Sequence, residues 1–421
     1  MNKNKHNNKN QWLIIFCLVY SGEMIFSLPF HIARFFRPTV LDVFALNNTQ
    51  LGDVFAVYGV LAMLAYFPGG VIADHFSARK LMTISLIATA AGGLYFAQIP
   101  NSTGLAFLFA YWGLTSILLF WASMIKATRE WGGHTKQGTA FGILEAGRGF
   151  VAAAAASVAV WILSLFLPSD LASLTELQRL QAMQSVIYFY TFMTLISALL
   201  IWLFIPETKN TVLQKNIMSG INSVAKMPVV WLQAVIIICA YCGYKGLDNY
   251  ALYARDVLQM NEIESAQFTA IAAYLRPVSA LATGYIVDRF IASRVIIIAF
   301  FLLLVSYLIL SFIVPATFGL NLIYANIIIT FVAVYGIRGV YFALIEETHI
   351  SAKHTGTAVG LISVIGFTPD VFFASIAGRI LDASPGAAGH QNYFLMLAGF
   401  AILGILATLL LVFYKSKLRP S

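Results

Sequence analysis

Gly70-Val-Ile-Ala-Asp74-His-Phe-Ser-Ala-Arg-Lys80 returns 214 positions later as Gly284-Tyr-Ile-Val-Asp288-Arg-Phe-Ile-Ala-Ser-Arg294. Each copy stands between two long apolar runs, so each reads as a short charged loop joining two helices. Gly138-Thr-Ala-Phe-Gly142 likewise returns as Gly356-Thr-Ala-Val-Gly360, 218 positions on. Tyr20-Ser-Gly22 and Ala33-Arg34 return as Tyr241-Cys-Gly243 and Ala254-Arg255, both shifted by 221. Landmarks in one order at nearly one offset mean an internal repeat. The expected division is a six-helix half at 1–206, a polar linker at 207–230 and a second six-helix half at 231–421.

Composition agrees with that reading. Of 421 residues, 60% are apolar and 10% charged, against roughly 45–50% and about 25% in soluble proteins. So many apolar side chains cannot be hidden in water-soluble cores. Disordered chains, collagens, disulfide scaffolds and ordinary cytosolic enzymes are excluded. A spanning helix needs about 20 mostly apolar residues. Twelve runs qualify: 11–34, 51–73, 80–98, 104–126, 139–166, 184–205, 231–254, 266–287, 294–315, 321–344, 356–378 and 391–414. The polar/apolar alternation of membrane-barrel strands is absent. The expected fold is an all-α membrane protein of twelve transmembrane helices in two pseudosymmetric bundles. The polar start Met1–Asn10 followed by an apolar run has the outline of a signal peptide. That run continues past Phe30 without a small-x-small site, so it reads as the first span.

The net charge of +8 is not a nucleic-acid signal, because Lys and Arg are spread over short loops. With the amino terminus inside, the cytoplasmic segments hold 17 of the 26 basic residues: Lys3, Lys5, Lys9, Arg79, Lys80, Lys126, Arg129, Lys136, Lys209, Lys215, Lys226, Arg289, Arg294, Lys353, Lys415, Lys417 and Arg419. The opposite side holds five: Arg34, Arg37, Arg179, Arg255 and Arg379. This bias predicts that both termini face the cytoplasm. Cys17, Cys239 and Cys242 lie in apolar runs and read as core residues.

The repeated loop, its position between spans 2 and 3, and its echo between spans 8 and 9 resemble the major facilitator superfamily (MFS) over essentially the whole chain. Phe141-Gly-Ile-Leu-Glu-Ala-Gly-Arg-Gly149, Arg338-Gly-Val-Tyr-Phe-Ala-Leu-Ile-Glu-Glu347 and the stretch from Gly356 to Asp370 are most similar to YihN-like bacterial permeases. The resemblance implies secondary transport: two bundles around a central site that opens to each side in turn. It implies that helices 1, 4, 7 and 10 line the cavity, with 2, 5, 8 and 11 beside them. It also implies a gating network of Asp74, Arg79, Lys80, Asp288, Arg289 and Arg294, which Glu346 and Glu347 would join.

Ionisable side chains at bilayer depth are costly and mark function. The intramembrane charges are Glu23, Glu145, Arg148, Lys245, Asp248, Arg276, Arg338 and Asp370, all on the helices that the resemblance puts around the cavity. Arginines offer paired donors for carboxylate, phosphate or sulfonate. Arg338, Arg276, Lys245, Arg148 and Tyr341 are the expected substrate-binding residues; Tyr341 and Phe342, on the side of Arg338, read equally well as an aromatic surface for the anion's body and as ordinary packing. Glu145/Arg148 and Lys245/Asp248 stand at i, i+3 and read equally well as internal pairs. A carboxyl in low dielectric takes a proton more readily, so Glu23, Asp370 and Glu145 are the expected proton carriers. A Glu23–Lys245 pair across the pseudo-twofold is expected. Small residues at Gly69, Gly70, Gly142, Gly147, Gly149, Gly356 and Gly360 would let sliding helices approach.

A membrane enzyme would need a nucleophile–base or metal constellation, and the seven histidines, His31 and His390 among them, read as tail or loop residues. A receptor would bring a soluble output domain. The resulting expectation is a proton-coupled symporter of a small organic anion in a bacterial inner membrane. It would be a monomer, with no cofactor, metal or nucleic-acid partner. Sodium stays open as the coupling ion. The alternative is an exporter, or a carrier of a neutral or zwitterionic metabolite with the cations locked in ion pairs.

Overall fold

The computed structural model describes residues 2–133, 137–168, 174–207, 222, 224–313, 319–348 and 352–418. Most of the expected linker, with Lys209 and Lys215, lies outside them, as do His134, Lys136, His349 and Arg419. So do the side chains of Lys3, Lys5, His6, Lys9, Glu346, Lys353, His354, Gly356 and Lys417. Among the described residues the chain is helical, with no strand.

Ten helices are long and apolar enough to cross a membrane, and eleven if one bent pair is a single span. The bent pair, α1, is Gln11–Met24 and Ser27–Phe35, with 42° between its parts. The ten are α2 (Asn48–His75), α4 (Ser102–Gly132), α5 (Gln137–Phe166), α6 (Glu176–Phe204), α7 (Pro228–Asp256), α8 (Glu262–Val287), α9 (Ala292–Phe312), α10 (Leu320–Ala343), α11 (Ala358–Ala383) and α12 (Ala387–Leu418). The third expected span also forms a helix, α3 (Ala78–Phe96), but Arg79 and Lys80 occupy its first turn and offset its apolar residues.

Helices start where polar side chains satisfy their free N–H groups. Asn47 and Gln50 form a reciprocal capping box at α2, Asn101 caps α4, and Asn261 with Glu264 repeats the box at α8. Along α3, α6, α9 and α12 large apolar residues such as Ile84, Leu199, Phe301 and Leu406 stay exposed. A helix apolar all round suits a site between protein and lipid. These four helices run unbroken, whereas α1, α4, α7 and α10 each contain a non-α turn: π-helical at Ser27–His31 and Thr115–Trp121, 3-10 at Leu247–Asn249 and Tyr341–Ala343. Such turns re-aim side chains locally.

The two ends of the bundle differ. At one end α2 lies so close to α11 that a Cβ on Gly52 would stand 2.3 Å from the Ala374 carbonyl oxygen, and one on Gly59 2.2 Å from that of Asp370. At the other end the repeat glycines Gly70, Gly142, Gly284 and Gly360 have no heavy atom of another described residue within 4 Å of a Cβ position. The expected close approach therefore holds at Gly69, Gly147 and Gly149 and fails at Gly70, Gly142 and Gly360, because the helices have parted there. Overpacking costs about 1–3 kcal/mol, enough to move a closed-to-open ratio by about fivefold to a hundredfold. Gly59→Leu is therefore expected to widen spin-label distances between α2 and α11 at this end. Unchanged distances would contradict the close contact.

Candidate functional site

Two charge networks fill the interior. In the first, Glu23 Oε1 stands 3.0 Å from Arg276 Nη1 and 3.1 Å from His31 Nε2. Its Oε2 stands 3.0 Å from Arg148 Nε. Glu145 meets Arg276 Nη2 at 2.7 Å, Arg148 Nη1 at 3.2 Å and Arg338 Nε at 3.3 Å. Arg276 on α8 thus ties two carboxylates of the amino-terminal part to the carboxy-terminal part. An unpaired charge at this depth would cost several kcal/mol.

The second network centres on Asp248, 2.5 Å from Arg34 Nε and 3.6 Å from Lys245 Nζ. Lys245 also lies 3.3 Å from Asp370, which accepts hydrogen bonds from the Tyr241 hydroxyl at 3.1 Å. Arg34 Nη1 donates to the Tyr244 hydroxyl at 2.9 Å. The guanidinium of Arg34 lies 4.7 Å from the Tyr244 ring centre and that of Arg338 3.7 Å from it, a cation–π arrangement on one ring.

Between the networks is a partly open cavity. Glu23, Arg34, Arg148, Lys245, Arg338 and Asp370 supply its charged wall, and Phe26, Phe30, Tyr66, Trp121 and Tyr244 much of its aromatic wall. The α2–α11 contact at Gly59 adjoins it, since Asp370 belongs to both the contact and the wall. Five cations (Arg34, Arg148, Lys245, Arg276, Arg338) face four carboxylates (Glu23, Glu145, Asp248, Asp370), an excess of one positive charge with His31 counted neutral. Nη1 of Arg338 is buried without a hydrogen-bond partner among the described residues.

Of the expected substrate-binding residues, Arg338, Lys245 and Arg148 are on the cavity wall. Arg276 lies behind it, held by Glu23 and Glu145. Tyr341 is buried against Phe342, 4.7 Å between ring centres, and the platform under Arg338 is Tyr244 instead. Glu23 and Asp370 are on the wall and Glu145 is not. The expected Glu23–Lys245 pair does not form, since arginines hold Glu23 while Lys245 is held by Asp248 and Asp370.

Three residues stand elsewhere than their sequence context suggests. Arg34, expected outside, is 8% exposed and joins Asp248, because α1 continues through its π-turn as far as Phe35. His31, expected in a loop, is buried on that turn against Glu23. Its spacing of eight residues from Glu23, about two helical turns, is the local signal for that contact. His390, also expected in a loop, is buried on α12 with Nε2 3.1 Å from Asp256.

The expected gating residues all lie at the open end. Asp74, Lys80, Asp288, Arg289 and Arg294 are exposed, and no ion pair joins Asp74 or Asp288 to another described residue. Arg79 and Lys80 both reach Glu207, Lys80 at 2.7 Å. Arg289 lies 4.2 Å from the Tyr285 ring centre. Glu347 accepts from Lys415 Nζ and from Ser293, each at 2.9 Å. Burial alone would raise its carboxyl, but these donors outweigh burial and hold it below the usual carboxylate range. The closed end is latched between the two parts of the chain: Asp53–Arg379 at 2.8 Å, Asp42–Arg255 at 3.2 Å and Arg179–Glu262 at 2.7 Å. There Asp382 also accepts the Thr49 N–H at 2.7 Å.

The sequence profile described as Major Facilitator Superfamily matches residues 12–374. The chain belongs to the Major Facilitator Superfamily. Among its relatives, the inner membrane protein YqcE of Escherichia coli (strain K12) is 27% identical over 430 residues, covering 99% of this chain and 98% of the relative. Inner membrane protein YihN of the same strain is 27% identical over 426 residues, 96% of each. Among solved MFS-like structures, a point mutant of the nucleoside transporter NupG superposes with a TM-score of 0.76 at 14% identity, covering 95% of this chain and 99% of that one. A bacterial homologue of the human lysosomal transporter Spinster, inward-facing and occupied, gives 0.75 at 14% identity, covering 97% and 98%. At this identity the structural likeness concerns the fold. Family and fold are those of MFS transporters, so the chain carries a small-molecule substrate and is not an enzyme. Its apolar spans and full-length relatives make it a multi-pass protein of a bacterial inner membrane.

Proposed function

We propose that this MFS transporter takes up a small organic anion by alternating access in symport with protons. It does so as a monomer of twelve spans, with bundles at 1–206 and 231–421, a cytoplasmic linker at 207–230 and both termini in the cytoplasm. The observation that carries this reading is the cavity's excess positive charge, with a buried Arg338 donor left unpartnered. A monoanion neutralises that excess, its charged group at Arg338 and its body on the aromatic wall. In this orientation the latched end is periplasmic and the cavity faces the cytoplasm. The charges at Asp74, Arg79, Lys80, Asp288, Arg289 and Arg294 then close the inner end in the other half of the cycle.

Asp370 is the proton carrier in this scheme. Its carboxylate lines the cavity and meets Lys245, while its backbone carbonyl packs against Gly59 of α2, so one residue joins the substrate site to the α2–α11 contact. Glu23 and Glu145 each meet several cations and serve mainly to hold Arg148 and Arg276. Asp370→Asn is expected to abolish uptake driven by an imposed pH gradient in proteoliposomes, a loss of at least about tenfold. Counterflow exchange without a gradient is expected to persist. Loss of both activities with the protein folded would contradict this role. A second reading, a neutral or zwitterionic substrate or export, is favoured by the fact that each of the five cations has a carboxylate within 4 Å. Uptake assays comparing anionic with neutral metabolites under one pH gradient separate the two.

A further inference from the structure

Lys245 lines two spaces, the central cavity and a much smaller one. The smaller one is bounded by Arg37, Phe55, Asp248, Asn249 and Phe373. Arg37 stands on a short helix, Arg37–Val43, that follows α1, and only 3% of it is exposed. Among the described residues Arg34, Arg37, Arg148 and Arg276 are the buried arginines, and Arg37 alone has no carboxylate within 4 Å. Its Nε and Nη2 donate to one neutral acceptor, Asn48 Oδ1, at 3.3 and 3.2 Å. Asn48 in turn donates to Asp382 at 3.0 Å, so that carboxylate reaches Arg37 only through an amide. Asp248 is already engaged by Arg34 and Lys245.

A second polar group on the same wall is also unsatisfied. Asn249 Nδ2 donates to the Tyr393 hydroxyl at 3.1 Å, while its Oδ1 is buried without a partner. A buried cation lacking a countercharge is expensive. Here it adjoins a narrow space that, with this end latched, has room for about one water molecule and admits a carboxylate or phosphate only once the latch opens. Arg37 adds one positive charge to the five cations and four carboxylates counted above, with no carboxylate of a described residue within 4 Å of it.

From this we infer that Arg37 forms a second anion-binding station, on the latched side of Lys245, for the carboxylate or phosphate of the transported molecule. Asn249 accepts a hydroxyl or water that accompanies it. The inference rests on the anion reading and the orientation given above. An anion arriving from the periplasm meets Arg37 first and then passes Lys245 to Arg338. An anion arriving from the cytoplasm reaches Arg338 without meeting Arg37.

The test is sided. Uptake of radiolabelled benzoate, lactate and glycerol phosphate, with uridine as the neutral control, is measured in right-side-out and inside-out membrane vesicles. R37Q is expected to raise KM from the outer face about tenfold or more, and to leave KM from the inner face within about twofold. R37K should recover part of the outer affinity, because it keeps the charge. N249D, which sets a carboxylate beside Arg37, should mimic R37Q. The melting temperature of R37Q should be unchanged or higher, since an uncompensated cation has been removed. Equal KM changes at both faces, or a lower melting temperature with KM unchanged, would overturn the station. Wild-type uptake of uridine and of none of the anions would instead overturn the anion reading beneath it.

Discussion

Arg338→Ala is expected to raise KM for the transported anion by about ten- to a hundredfold and to leave the fold nearly untouched. The side chain has one carboxylate contact, Glu145 at 3.3 Å, and a free Nη1. Losing it leaves Glu145 still held by Arg148 and Arg276. A hydrogen bond from a charged donor contributes about 1.5–3 kcal/mol, and each 1.4 kcal/mol is about tenfold in affinity. Arg338→Lys keeps the charge without the planar fork and should recover only part of the affinity. Unchanged KM in a well-folded Arg338→Ala protein would remove Arg338 from the binding site.

Glu23→Gln is expected to act on stability first. The carboxylate is 3% exposed and faces Arg148, Arg276 and His31 within 3.1 Å. An amide there leaves two guanidiniums partly uncompensated in low dielectric, which costs about 3–5 kcal/mol. The melting temperature in detergent should fall by several degrees. Removing a cation as well, in Glu23→Gln/Arg276→Gln, should recover part of the loss, because coupled neighbours are not additive. Asp370→Asn, which leaves Lys245 with Asp248 still near it and Tyr241 with an amide oxygen to donate to, should melt close to the wild type. If Glu23→Gln melts unchanged but loses pH-gradient drive, then Glu23 and not Asp370 is the proton carrier.

What can be read from the residues follows from distance along the chain. Helix positions come from local hydropathy, and the repeat from Gly70–Lys80 and Gly284–Arg294 compares the chain with itself. The depth of Glu23, Arg148, Lys245 and Asp370 is legible for the same reason: a charge inside an apolar run is visible locally. Partners are not visible in this way. Arg276 meets Glu23 across 253 positions and Arg34 meets Asp248 across 214, and nothing local to either residue encodes the contact. The i, i+3 pairs Glu145/Arg148 and Lys245/Asp248 are legible because one helix face suffices. Arg34 escapes a local reading because its partner Asp248 lies 214 positions away, whereas His31 and Glu23 stand only eight positions apart. The charge balance consequently changes from four cations against four acids to five against four. The gating charges show a different limit: their loops assign them to one side, but their pairing depends on which end of the bundle is closed.

The most direct measurement is thermal-shift screening of the purified wild-type protein against a metabolite panel balanced between anions and neutral compounds, repeated with Arg338→Ala. The account predicts that stabilising compounds are monoanions with an apolar or ring-shaped body, and that Arg338→Ala loses their shift while Asp370→Asn keeps it. Stabilisation by neutral compounds, with a shift that survives in Arg338→Ala, would contradict it.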